Sequence, residues 1–190
     1  MAMLNLDEST HTYTLGDRKL ISVTQCLSIL DNRWKVDPWY LERGRLIHLA
    51  TEYLDHDELD WSTVDERIRP YLDAYVKFRK DTGSVAHPGY IEHKLYHPIY
   101  FYAGRIDRIG YLNGCLVLID LKTGASAKID ELQDAAYWEL CRVNNIPIKK
   151  VFDLYLHDDG TYKLEPIERP KLLLPVFLAA LTVARWRENA

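Results

Sequence analysis

Apolar residues in this chain recur with two different periods, and the switch between them marks out the elements. The clearest strand signal is a pair of β-branched runs, 103–110 and 115–124, on either side of Asn113-Gly114. Both central positions of a type I′ turn need positive φ, which Asn and Gly tolerate, so the two runs are predicted to pair as a β-hairpin. The second run is apolar enough to be a buried central strand. Charges break this pattern: Asp107 interrupts the first strand, and Asp120 and Lys122 interrupt the end of the second. Side chains alternate along a strand, so Asp120 and Lys122 share one face and Leu121 points to the other.

Shorter alternations at 11–15 and 19–23 around Gly16-Asp17 predict an opening hairpin, after which Ser22 or Thr24 can cap a short helix to about Leu30. Helical spacing then runs from Pro38, a favourable first-turn residue, to Leu54. Gly44 and His48 fall four apart on one face of that helix, and a glycine there lets something approach the backbone closely. The acidic stretch 55–60 reads as a solvated loop, and 64–80 as an amphipathic helix kinked or restarted at Pro70. Residues 82–89 read as a turn region, 90–96 as a strand carrying Glu92, and 128–144 as a helix with Gln133 and Tyr137 on one face. A third hairpin is predicted from 151–156 and 162–167 around Asp158-Asp159-Gly160, and an apolar helix over 172–189 closes the chain. This order predicts a mixed α/β fold in one domain over residues 1–190, with a central mixed sheet flanked by helices.

Composition adds exclusions. With 190 residues, 47% of them hydrophobic, the chain can bury a sizeable core. Its first residues lack a basic stretch followed by an apolar run, and the longest apolar stretch, 172–183, is too short to span a bilayer and contains Pro175. The expectation is a cytosolic chain with no membrane partner. Cys26, Cys115 and Cys141 are expected as reduced core thiols, since their number and spacing suit no zinc site, disulfide framework or iron-sulfur cluster. A net charge of -4 does not advertise a nucleic-acid surface, but a basic cleft can sit within an acidic molecule.

The charged positions in the central hairpin need an explanation, because a carboxylate taken out of water is costly unless it is paired, hydrogen-bonded or metal-bound. Two explanations fit. One is a buried ion pair, Asp120 with Lys122 or Asp107 with Arg105. The other is a site: oxygen ligands for Mg²⁺ or Mn²⁺ from Asp107 and Asp120, with Lys122 facing the same way to orient a nucleophile.

Asp107, followed by Asp120-Leu121-Lys122, resembles the core of the PD-(D/E)XK nuclease superfamily: an acid, a variable gap, then an acid, any residue and a lysine at a strand end. The triplet alone is common, but it has company. Gly44-Arg45-Leu46-Ile47-His48 resembles the Gly-x-x-x-His motif of the RecB-like branch, Gly104-Arg105-Ile106-Asp107 its Gly-x-x-Asp, and Gln133-Asp134-Ala135-Ala136-Tyr137 its Gln-x-x-x-Tyr. Four motifs in order make the resemblance specific. His11-Thr12-Tyr13-Thr14 and Ser22-Val23-Thr24-Gln25 also resemble the N-terminal region of phage-encoded exonucleases of this type, whereas residues 141–190 carry no matching motif.

The resemblance implies a restriction-endonuclease-like core and a Mg²⁺- or Mn²⁺-dependent DNA exonuclease of phage or prophage recombination, working in the bacterial host cytoplasm. DNA is the implied partner. A homo-oligomer closed by the apolar last helix, or a recombination partner protein, would be compatible with it. Metal ligands by resemblance are His48, Asp107 and Asp120 with the Leu121 carbonyl, Lys122 is catalytic, and Gln133 and Tyr137 hold the DNA or the site itself. Glu92 matches an acid found on the preceding strand in this group. Arg45, Arg105, Arg108 and Lys128 are either phosphate contacts or exposed charges, and the other histidines are unremarked. An endonuclease on the same site and an inert DNA-end-binding module are the alternatives.

Overall fold

A computed structural model describes residues 3–30 and 37–188. Strands β1 (Leu4–Asp7), β2 (Thr12–Leu15) and β3 (Arg18–Ser22) form an antiparallel meander that leads into helix α1 (Val23–Leu27). The turn into α1 is a capping box: Ser22 Oγ accepts from the Gln25 N–H at 3.0 Å and the Gln25 side chain accepts from the Ser22 N–H at 2.9 Å. Helices α2 (Pro38–Asp55) and α3 (Arg69–Thr82) precede the strands β4 (Val85–Tyr96), β5 (Tyr102–Leu112) and β6 (Cys115–Lys122). The chain ends with α4 (Asp130–Val143), β7 (Lys150–Leu156), β8 (Tyr162–Pro166) and α5 (Pro170–Glu188).

All strands belong to one mixed eight-stranded sheet, ordered β1-β2-β3-β5-β6-β7-β8 with β4 also paired to β5. The alternation predicted for β6 sorts its side chains between two cores. Val117, Ile119 and Leu121 pack against Ile47 of α2 and Leu72 and Phe78 of α3. Leu118 faces the opposite layer, where Ala136 and Leu140 of α4 and Phe177 and Leu181 of α5 are buried with it. Helices therefore cover both faces of the sheet, and the buried sides of β6 read as a nearly continuous apolar run for that reason.

Several boundaries differ from the sequence reading. Strand β1 was not predicted; its alternation is only four residues long and one side stays exposed. Helix α3 starts at Arg69 rather than 64, with Pro70 in the first turn, where a missing N–H costs nothing. Strand β4 begins at Val85, inside the predicted turn region, and carries Pro88 and Gly89 across a register shift between Ala86 and Ile91. The Asn113-Gly114 turn has φ of 50° and 75°, as predicted. Cys26 and Cys141 are buried thiols, but Cys115 is exposed at the start of β6, so it is not a core thiol. Asn189, the predicted end of the last helix, lies outside the described residues. Among the described residues no helix is long and apolar enough to cross a membrane.

Candidate active site

Strand β5 has an interrupted edge. On one side it pairs with β4 along most of its length. On the other, β3 pairs only with Tyr102 and Ala103, and the ladder to β6 reaches from Leu112 only to Arg108. Residues 104–107 lie in the gap between those two ladders. Asp107 sits at its end, and its Oδ2 accepts the Leu121 N–H at 2.7 Å in place of a backbone carbonyl. The break in pairing thus makes room for a carboxylate and gives it a fixed donor.

Around Asp107 three elements bring donor atoms together. His48 of α2 and Glu92 of β4 join it in a group whose ligand atoms all lie within 4.8 Å of one another. The His48 Nδ1 is 3.3 Å from Asp107 Oδ1 and 3.6 Å from Glu92 Oε1. Glu92, just past the register shift in β4, has φ of 48°, and its side chain turns toward the gap. Burial works against a charge on His48, but the Asp107 and Glu92 carboxylates outweigh it and push the imidazole up to about 10. Burial likewise opposes ionisation of Asp107, yet His48, the Leu121 N–H and Arg108 hold its carboxyl well below the usual range.

Arg108 ties these pieces from beneath. Although it is charged, it is only 2% exposed. Its Nη1 donates to Glu92 Oε1 at 2.9 Å and to the Asp107 carbonyl at 2.6 Å, its Nη2 donates to Thr51 Oγ1 at 3.0 Å, and its Nε donates to Asp55. Thr51 in turn donates to the His48 carbonyl at 2.9 Å. One guanidinium therefore fixes the strand of Asp107, the strand of Glu92 and the helix of His48.

Asp120 does not join the His48 group; it falls in a second group with Asp134 of α4 and Asp153 of β7, also within 4.8 Å. Parallel pairing of β6 with β7 sets Asp120 directly beside Asp153. Lys122 Nζ contacts Asp120 and lies 3.8 Å from Asp153 Oδ1. It also donates to Gln133 Oε1 at 3.2 Å, and Gln133 Nε2 donates to the Tyr137 hydroxyl at 3.1 Å. Gln133 and Tyr137 thus hold the lysine. Burial opposes the charge on Lys122, but the surrounding carboxylates raise its affinity for the proton well above the ordinary value, so it stays an ammonium. Burial raises the Asp120 carboxyl, with Lys122 opposing and Asp107 and Asp153 adding to the rise.

At low identity, the chain is similar to solved exonuclease structures. An alkaline exonuclease from Laribacter hongkongensis matches with a TM-score of 0.44 and 12% identity, over 90% of this chain and 92% of that one. A protein from Eubacterium rectale provisionally named an exonuclease matches with a TM-score of 0.49 and 11% identity, over 87% of this chain and 82% of that one. The protein SSO0001 matches with a TM-score of 0.42 and 17% identity, over 86% and 75% of the two chains. No protein-family profile and no curated protein matches the sequence.

The motif glycines differ in what they do. A Cβ on Gly104 would lie 2.7 Å from Tyr137 Cε1, so this glycine lets the Tyr137 ring lie across β5. Gly104→Ala is expected to cost about 1–3 kcal/mol through overpacking, read as a lower urea midpoint, and to displace the ring that steadies Gln133. Gly44 is under no such demand: a Cβ there would meet Thr123 Oγ1 at 3.6 Å, an ordinary contact. The close approach predicted at Gly44 is therefore not made by the chain itself.

The cations also sort out. Arg105 does not pair with Asp107; its Nε meets Glu92 Oε2 at 3.0 Å and its Nη1 reaches Glu8 at 3.1 Å. Arg45 is exposed and paired with Glu42, Lys128 is exposed, and Arg108 is neither a phosphate contact nor an exposed charge. Sequence reasoning passed over Asp153 and Asp134. The first had a visible signal, an acid in the middle of an apolar strand as at Asp120, and the second lay unassigned inside the Gln-x-x-x-Tyr stretch. An open cleft of about 870 Å³ adjoins Gln133 and Thr123 and is lined further by Tyr40, Arg43 and Tyr71. Arg43 donates to the Thr123 carbonyl at 2.7 Å, with its guanidinium 4.9 Å from the Tyr40 ring centre and 5.1 Å from that of Tyr71.

The titrations give a sign to the pH dependence. The His48 value is raised from 6.5 to about 10, so its contribution to stability is complete below pH 6.5 and lost as pH rises toward 10. The raised carboxyls of Asp120, Asp134 and Asp153 act in the same direction, because the unfolded chain gives up those protons more readily. Metal-free protein is expected to lose stability in thermal unfolding as pH rises above about 4, where the raised carboxyls begin to act, with His48 adding to the loss above pH 6.5, and His48→Asn is expected to flatten the upper part of that curve.

Proposed function

We propose that the chain is a divalent-metal-dependent deoxyribonuclease that hydrolyses DNA phosphodiesters as an exonuclease at DNA ends. The observation that carries this reading is the convergence of His48, Glu92 and Asp107 from three elements beside the β6 end that bears Asp120 and Lys122. The donor set suits a hard cation: carboxylates with one imidazole, and His48 Nδ1 lies 3.3 Å from Asp107 Oδ1, close to the ~3 Å expected between neighbouring ligands of an ion bound at about 2.1 Å. His48, Asp107, Asp120 and the Leu121 carbonyl are the ligands, and Glu92, both of whose oxygens meet arginines, shapes their surroundings. When bound, Mg²⁺ or Mn²⁺ supplies Lewis acidity at the scissile phosphoryl group.

The rest of the work falls to the chain. Lys122, kept charged by its carboxylate neighbours, orients the attacking water and stabilises the negative charge that develops on the phosphoryl oxygens. Gln133 holds the ammonium in place, and the Tyr137 hydroxyl holds Gln133. The cleft beside Gln133 admits a nucleic-acid strand, with the exposed Tyr40 as a stacking surface and Arg43 beside it as a cation. Exonuclease mode and a setting in phage or prophage recombination are supported by the motif resemblance. End-labelled linear DNA and covalently closed circular DNA, each incubated with Mg²⁺, test the reading: the linear form is expected to be degraded and the circle left intact. Lys122→Ala is expected to remove the activity without unfolding the protein. Cutting of the closed circle would make the enzyme an endonuclease, and full activity in Lys122→Ala would contradict the assignment.

A further inference from the structure

The second carboxylate group has a charge problem that the proposed catalysis leaves unsolved. Asp120, Asp134 and Asp153 are 2%, 0% and 2% exposed. With all three ionised, as metal ligation requires, the single ammonium of Lys122 would leave two negative charges inside the protein. Asp130, one turn before Asp134 on α4, adds a fourth acid nearby, but its Oδ2 already accepts the Ala127 N–H at 3.0 Å and it lies in the first turn of the helix, where the dipole favours an anion. Hydrogen bonds do not make up the difference. Both oxygens of Asp134 and the Oδ1 of Asp153 are buried with no hydrogen-bond partner, while the Oδ2 of Asp153 accepts from the Tyr155 hydroxyl at 3.1 Å.

Orphaned carboxylate oxygens at full burial are rare, and each calls for a cation, a proton or a water. The oxygens here converge: one from each of the three aspartates lies within 4.8 Å of the others. Three elements hold them, with Asp120 on β6, Asp153 directly opposite on β7 and Asp134 on α4, and Lys122 stands beside them at the end of β6. An all-oxygen set of this kind selects a hard divalent ion. Its charge would match the two negative charges left over, and the cleft beside Asp130 and Gln133, four residues and one residue before Asp134 on α4, gives a way in.

We propose that Asp120, Asp134 and Asp153 form a second divalent-cation site behind Lys122, which shares only Asp120 with the proposed first site and lies apart from His48, Glu92 and Asp107. The ion takes the oxygens of Asp134 and Asp153 that accept no hydrogen bond and one oxygen of Asp120, while Lys122 keeps its contacts with Asp120 and Gln133. It steadies the ammonium from behind and balances the acids around it. The site does not depend on the nuclease reading, since binding can be measured without DNA.

Manganese is the probe, because it substitutes for magnesium at oxygen sites and can be located by anomalous scattering. Calorimetric titration of the full chain is expected to give two Mn²⁺ per chain, falling to one in Asp134→Asn and to one in Asp107→Asn. Anomalous maps from Mn²⁺-soaked crystals of the unaltered protein are expected to show a peak among Asp120, Asp134 and Asp153; this measurement holds even if a variant fails to fold. A single Mn²⁺ per chain that vanishes in Asp107→Asn, with no peak at the three aspartates, would overturn the proposal and assign the missing charge to protons. A protein that binds two Mn²⁺ but leaves DNA intact would refute the nuclease reading and leave this site standing.

Discussion

Asp107→Asn is expected to lower Mg²⁺-dependent DNA degradation by a factor on the order of 10³, because losing several kcal/mol of metal-derived transition-state stabilisation costs tenfold in rate for each 1.4 kcal/mol. The substitution keeps the shape of the side chain, and an amide oxygen can still accept the Leu121 N–H that Asp107 Oδ2 now accepts at 2.7 Å. The two halves of its role therefore separate. Its place in the gap between the β3 and β6 ladders persists, so the fold is expected to survive, while the anionic ligand beside His48 is lost. Release of labelled nucleotides measures the rate, and circular dichroism checks the fold. Parental activity in this variant would remove Asp107 from the chemistry.

Arg108→Met is expected to cost about 3–5 kcal/mol of stability, the usual result of removing one partner from a buried ion pair. Methionine fills part of the volume but offers no donor. Among the described residues, Asp55, whose side chain is fully buried, would keep only the Tyr75 hydroxyl at 2.8 Å and Arg79 at 3.4 Å, and the Asp107 carbonyl would lose its side-chain donor. A second consequence follows for the site. Arg108 links Glu92, Asp107 and, through Thr51, His48, so metal affinity is expected to fall about 10- to 100-fold, as it does when outer partners of metal ligands are removed. Urea unfolding and Mn²⁺ titration read the two effects separately. A variant as stable as the parent would mean that the guanidinium contributes nothing net at its buried position.

Local signals were the legible ones. Asn113-Gly114 fixed a hairpin because the φ demands of the turn are local, and alternation along β6 correctly put Asp120 and Lys122 on the opposite face from Leu121. The motif spacing also brought together residues far apart in the chain: Gly104 makes room for Tyr137, and Gln133 reaches Lys122. What stayed hidden depended on long-range register. Nothing in the sequence near Asp120 says that β7 will pair with β6 so that Asp153 stands beside it, nor that α4 will place Asp134 over both. Arg108 was read as a surface or phosphate charge because its partners come from α2 and β4, and only tertiary packing assembles them. The extension of β4 through Pro88 and Gly89 was missed for a related reason: a bulge allows two poor strand residues to sit where the ladder is already broken.

These residues are proposed to make a divalent-metal-dependent nuclease. The most direct test uses protein stripped of metal with chelator, mixed with end-labelled linear duplex DNA, and followed before and after Mg²⁺ is restored. The expected result is no release of nucleotides in chelator and progressive degradation from the ends once Mg²⁺ is added. DNA that stays intact in Mg²⁺ and equally in Mn²⁺, with the protein folded, would contradict the claim.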